Sequence, residues 1–157
     1  KEVLVEAELG FIGKSSKLLD EIPEGVSKTT VEEARKFVEE TGIDLFAPAV
    51  GNVHGMLKSG LEPKLDIELI KQIKEAVKIP LVLHGASGNS DEEIKEAISA
   101  GISIIHINTE LRVAYRKGLM KSLQASPDEI APYKYLRPAL KEMESVIEKK
   151  LKLFNNL

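Results

Sequence analysis

Two of the three histidines in this chain share one setting, an apolar run followed by His-Gly and a loop of small residues. In "LVLHGASGNSDEE" a neutral imidazole at His84 can give a nitrogen to zinc. The Gly85 and Ser87 amides, the Ser87 hydroxyl and a helix beginning near Ser90 can hold a phosphate. "AVGNVHGMLKSG" repeats the design: His54 ends the run, Gly55 lets the backbone approach a ligand, and Lys58 supplies a cation a few residues on. The competing reading of each loop alone is a packed histidine beside an ordinary turn, with Lys58 solvated. The repetition favours ligands, because two of three histidines would otherwise follow separate strands, each before a glycine, by chance.

Two further segments carry candidates. In "VEAELG", Glu6 and Glu8 fall on one side of a strand, because side-chain direction repeats every second residue. Unpaired carboxylates in a buried strand are costly, so the pair needs a metal, another partner or water. In "IIHINTE", His106 and Asn108 share a face. Asn108 and Thr109 can bond a sugar hydroxyl and a phosphate, or simply cap the next helix. His106 lies deeper in its run, and a core histidine satisfied by backbone is the favoured reading there.

Such residues need elements to hold them, and the pattern supplies four repeats of apolar run, loop and helical spacing. The runs are "VLVEAELG", "DLFAPAV", "IPLVLH" and "ISIIHI". The helices are "TTVEEARKFVEETG", capped at Thr29 or Thr30 with Glu32 or Glu33 three residues on and closed by Gly42; "LDIELIKQIKEAVK", capped by Asp66; "SDEEIKEAISAG", with a Ser90–Glu93 capping box; and "NTELRVAYRKGLMKSL". A tail helix, "RPALKEMESVIEKKLKLF", follows a Pro-marked turn. Uniformly apolar strands alternating with helices predict a parallel sheet covered on both faces, an α/β fold. Polar residues at the ends of several strands favour a (β/α)₈ barrel over a doubly wound sheet, which gathers its site at one switch point. Four units plus a terminal helix are roughly half a barrel. The abrupt start "KEVLVEAELG" carries the same expectation: residues 1–157 are a C-terminal half whose N-terminal half is missing.

Composition narrows the partners. The chain has 157 residues, 43% hydrophobic and 30% charged, with a net charge of -3, which suits a globular domain and supplies no basic footprint for nucleic acid. Without cysteine, any metal is held by nitrogen and oxygen, and a reducing cytoplasm is the expected compartment. No apolar run is long enough to span a bilayer. Schiff-base catalysis needs a desolvated lysine, and no lysine stands inside an apolar run.

Taken together, "VEAELG", "AVGNVHGMLK", "LVLHGASG" and "HINTELRVAY" resemble the class II, metal-dependent fructose-bisphosphate aldolases and their tagatose-bisphosphate relatives. The resemblance implies a (β/α)₈ barrel and a lyase that cleaves fructose 1,6-bisphosphate reversibly into dihydroxyacetone phosphate and glyceraldehyde 3-phosphate. It implies zinc at His54, His84 and Glu8, with a monovalent cation as an accompanying ion. It implies substrate and phosphate contacts at Gly55, Lys58, Gly85, Ser87, Asn108 and Thr109, and a homo-oligomeric full-length form. The family's remaining zinc histidine and its catalytic aspartate belong to an H-x-D-H-like segment, and its proton-carrying glutamate to the loop that here reads "FIGKSS". Asn108 stands where aspartate is common in the fructose enzymes, which keeps a tagatose-bisphosphate aldolase as one alternative. A phosphosugar-binding barrel piece without catalysis is the other.

Overall fold

A computed structural model describes residues 3–15 and 17–155; Lys1, Glu2, Asn156 and Leu157, the ends of the expected domain, and Ser16 in the "FIGKSS" loop lie outside the described residues. The chain forms two compact units, residues 1–107 and 108–157.

In the first unit, strands β1 (Glu6–Leu9), β3 (Leu45–Pro48), β5 (Leu81–Leu83) and β6 (Ile102–Ile105) make a parallel sheet in the order β1-β3-β5-β6. Each new strand joins at the same edge, which is the winding of consecutive strands in a (β/α)₈ barrel and lacks the order reversal of a doubly wound sheet. Phe46, Ala47, Leu81, Val82 and Leu83 are all buried, as a sheet covered on both faces requires. Two short strands that read as loop in the sequence, β2 (Leu18–Leu19) and β4 (Met56–Leu57), pair in parallel as a separate two-stranded sheet.

The helices of this unit begin and end where their caps dictate. Helix α1 (Val31–Thr41) starts at Thr30, whose hydroxyl accepts the Glu33 N–H in a full capping box, and stops at Gly42 in the left-handed region. Thr29 has a different task. Its hydroxyl donates to the Leu9 carbonyl at 2.7 Å and accepts the Ala49 N–H at 2.9 Å, tying the ends of β1 and β3 together. Helix α2 (Ile67–Val77) is capped by Asp66 and buries Ile70, Ile73 and Val77. Helix α3 (Asp91–Ala100) carries the Ser90–Glu93 capping box and buries Ile94 and Ala97.

The second unit holds α4 (Thr109–Ala125), α5 (Pro132–Tyr135) and α6 (Arg137–Phe154). Gly118 permits α4 to lie against α6: a Cβ there would sit 2.8 Å from the Ala139 Cα. Lys150 of α6 is buried and bonds Glu110 of α4 at 3.1 Å.

Candidate metal centre at the strand ends

Glu6 and Glu8 point to the same side of β1, and a single imidazole meets both. His84, one residue past β5, places Nδ1 2.6 Å from Glu8 Oε2 and Nε2 2.9 Å from Glu6 Oε1. Ala47, the register partner of Glu8, brings only a methyl group to the intervening strand β3. His54, past the end of β3, lies with Nε2 3.7 Å from Glu8 Oε2, and its ring centroid is 6.1 Å from that of His84. One donor atom each from Glu8, His54 and His84 falls within 4.8 Å of the others.

The backbone holds these rings in place. Asn52, 1% exposed, donates its amide to the His84 carbonyl at 2.8 Å while its Oδ1 accepts the Val50 N–H at 2.8 Å. One side chain thus fixes the start of the His54 loop to the start of the His84 loop. Gly85, at φ 59°, lies so close to Val53 that an added Cβ would overlap its carbonyl group. The two histidine loops therefore pack backbone against backbone, which no other residue type at position 85 would allow. His54 is tied from the other side by its N–H, which donates to the Ile12 carbonyl at 2.7 Å.

A divalent ion fits the donor set. A neutral imidazole has one N–H and so donates to one carboxylate only; its second nitrogen meets the other carboxylate lone pair to lone pair unless a proton or a metal ion stands between. The side chains of His84, His54 and Glu8 are 18%, 32% and 32% exposed, so the set is partly desolvated yet open on one side. Two imidazoles and a carboxylate with room for a further ligand is the arrangement of catalytic zinc sites.

The remaining sequence candidates separate. Gly55 takes φ 107° beside the Lys17 and Ser15 carbonyls, and Ser87 is buried. Lys58 is solvated and bonds Asp20 at 2.8 Å, the outcome its composition suggested for a lone lysine. The start of α3, expected to help hold phosphate, already has its Ser90 N–H bonded to the Glu93 carboxylate at 3.3 Å and carries three acidic residues in its first turn. An added anion there meets like charge, so within this loop a phosphate contact rests on Gly85 and Ser87 rather than on the helix start. In the second unit, Asn108 is the N-cap residue of α4 but makes no side-chain cap bond, and Thr109 is buried in the first turn. Lys150 is a buried lysine that the sequence reading missed, and its ion pair with Glu110 leaves it unlike the unpaired amine a Schiff-base enzyme needs.

His106 corrects the expectation of a core histidine, since its side chain is 52% exposed. Strand β6 ends at Ile105, so His106 stands just past the strand end as His84 does past β5, and a register shift between the two strands sets them level. Leu81 pairs with Ile102 but Val82 pairs with Ile104, so Ser103 is the extra residue of a bulge. The shift carries His106 alongside His84, where the rings stack with centroids 4.8 Å apart. Asn52 was also missed; it stands in the quoted "GNVHG", but its partner 32 residues away leaves no local trace.

A parallel α/β sheet with histidines and carboxylates gathered at the ends of successive strands places a candidate metal site where barrel enzymes gather their active-site residues, and the comparisons make the family specific. The family described as fructose-bisphosphate aldolase class-II matches residues 1–157, and the chain belongs to that family. A Bacillus subtilis (strain 168) protein named "Probable fructose-bisphosphate aldolase" is 40% identical over 154 residues, covering 98% of this chain and 53% of the relative. Escherichia coli (strain K12) YdjI is 42% identical over 153 residues, covering 97% and 52% respectively. The crystal structure of the YdjI aldolase from Escherichia coli K12 superposes with a TM-score of 0.69 at 36% identity, over 97% of this chain and 48% of that one. The chain thus spans about half the length of the relatives it matches, and its fold is that of part of their barrel.

Proposed function

We propose that the chain supplies the metal-holding and phosphate-holding strand ends of a divalent-metal aldolase acting on fructose 1,6-bisphosphate. The convergence of Glu8, His54 and His84 is the observation that carries this reading. A bound zinc ion supplies electrophilic polarisation of a ketose carbonyl. His54 and His84 hold it through ring nitrogens, and Glu8 offsets part of its charge. Gly55, Gly85, Ser87 and Lys58 bind a substrate phosphate, as the family resemblance implies.

In the cleavage the bond between C3 and C4 breaks. Its electron pair stays on C3, which takes up a proton to complete dihydroxyacetone phosphate, while the C4 hydroxyl proton goes to a carboxylate and the aldehyde left is glyceraldehyde 3-phosphate. The aspartate given that role in the family belongs to an H-x-D-H-like segment that these 157 residues do not contain. Turnover therefore requires the complementary half of the barrel. The working protein is read as a cytoplasmic homo-oligomer without nucleic-acid or membrane partners. Among the described residues, no helix is long and apolar enough to cross a membrane.

The test is chelator-sensitive cleavage of fructose 1,6-bisphosphate by the protein with its barrel complete. Activity that is lost on metal removal and in His84→Ala supports the reading; activity that survives both overturns it. Faster cleavage of tagatose 1,6-bisphosphate reassigns the sugar. Metal-independent binding of a sugar phosphate without cleavage assigns the non-catalytic alternative.

A further inference from the structure

Both nitrogens of His84 face carboxylates, and each side has a second histidine. On the Nδ1 side stand Glu8 and His54. On the Nε2 side stand Glu6 and His106, which the proposed aldolase chemistry does not use. Glu6 divides its carboxylate between the two rings, with Oε1 2.9 Å from His84 Nε2 and Oε2 3.9 Å from His106 Nε2. One donor atom each from Glu6, His84 and His106 likewise lies within 4.8 Å of the others. The 20° angle between the His84 and His106 rings sets them nearly parallel, so their edges and the carboxylate can converge from one side.

We infer that Glu6, His84 and His106 form a second divalent-cation position, alternative to the one at Glu8, His54 and His84. Two imidazoles and one carboxylate suit a first-row ion such as zinc or cobalt. The positions alternate because a neutral His84 has one lone-pair nitrogen and one N–H. An ion at Nε2 leaves the N–H at Nδ1 to donate to Glu8, and an ion at Nδ1 leaves it at Nε2 to donate to Glu6. Either occupancy thus satisfies both carboxylates with one metal and one proton. The β6 bulge at Ser103 has a consequence in this reading: it brings His106 level with His84.

The inference shares His84 with the proposed aldolase site, and the variants separate the two. Cobalt(II) binding is measured by calorimetry and by the visible absorption of the bound ion, with circular dichroism confirming folding. The wild-type protein is expected to bind one ion. His54→Ala is expected to keep one ion, at reduced affinity and with a changed spectrum, because the ion moves to the second position. Adding His106→Ala or His106→Asn to His54→Ala is expected to weaken binding by a further tenfold or more. Because His106 is exposed, neither change removes a core contact. Equal affinities for His54→Ala and the two double variants overturn the second position, as does complete loss of binding in His54→Ala. Two ions bound at once to the wild type overturn the alternation. If instead His54→Ala leaves affinity and spectrum as in the wild type, the aldolase-site reading fails, and His106→Ala alone must then abolish binding for the second position to stand.

Discussion

His84 and Asn52 are joined where side-chain chemistry meets backbone scaffolding: the Asn52 amide donates 2.8 Å to the carbonyl of the residue whose imidazole serves both carboxylates. This bond, with the Val50 N–H accepted by the same side chain, fixes the distance between two histidine loops that come from different strands.

Replacing Asn52 with Ala leaves a buried N–H and a carbonyl without their partner. Stability is expected to fall by about 1–3 kcal/mol in urea unfolding. Zinc affinity is expected to fall on the order of 10–100-fold, as it does when an outer-shell support is lost. Asn52 is a positioning residue, so Asn52→Asp, which keeps one acceptor, should recover part of the stability but not the donor bond to His84. Unchanged zinc affinity in Asn52→Ala would show that the loops hold their spacing without it.

Gly85→Ala forces a side chain into the left-handed region and onto the Val53 carbonyl group. The strain alone is worth roughly 1–3 kcal/mol, and relieving the overlap moves the His54 and His84 loops apart. Thermal unfolding and zinc titration should both shift. Gly42→Ala, also in the left-handed region but with open space around the missing Cβ, should lower stability and leave zinc affinity alone.

The Asp66 carboxyl is held below the usual carboxylate range, first by its hydrogen bond from Lys28 and then by the Leu69 N–H. A depressed folded value gives stability that is present above the unfolded value near 3.8 and is lost as pH falls through the folded value. Acid unfolding should therefore be less steep in Asp66→Asn, which keeps the helix cap but has no charge to protonate. Asp66→Ala should also lose the cap, about 1 kcal/mol at neutral pH. Lys28 is half exposed, so screening keeps the ionic part small and added salt should narrow the difference. Identical acid limbs for wild type and Asp66→Asn would remove the ion pair from the account.

Among the described residues, β1 and β6 have a sheet neighbour on one side only, and the residues leading into β1, Val3, Leu4 and Val5, are 76%, 70% and 53% exposed. Apolar surface beside an unpaired edge is a template for self-association. The 157-residue chain alone should sediment as concentration-dependent oligomers, and Leu4→Lys should reduce them. A monodisperse monomer that melts cooperatively would contradict this.

How far the sequence could be read depends on how local each signal is. Both capping boxes, the Asp66 cap and the Gly42 stop are set within a few residues and stand where the spacing put them. The sheet followed from uniformly apolar runs, and Glu6 and Glu8 share a face because the period of a strand is two. His106 was misread because the apolar run continues to Ile107 while the strand ends at Ile105, so depth in the run did not measure depth in the protein. Thr29 could be read as a cap because that reading needs only its neighbours, whereas its actual partners, Leu9 and Ala49, come from two other segments. The short pairing of β2 with β4 joins loops whose residues carry no alternation to betray it.

The central claim is that His54 and His84 share one divalent cation, and an anomalous-difference map from crystals equilibrated with zinc tests it most directly. The account predicts a peak about 2.0–2.1 Å from a ring nitrogen of each histidine, with Glu8 turned toward it. Zinc found elsewhere, with the two rings directed away from a common point, would contradict it.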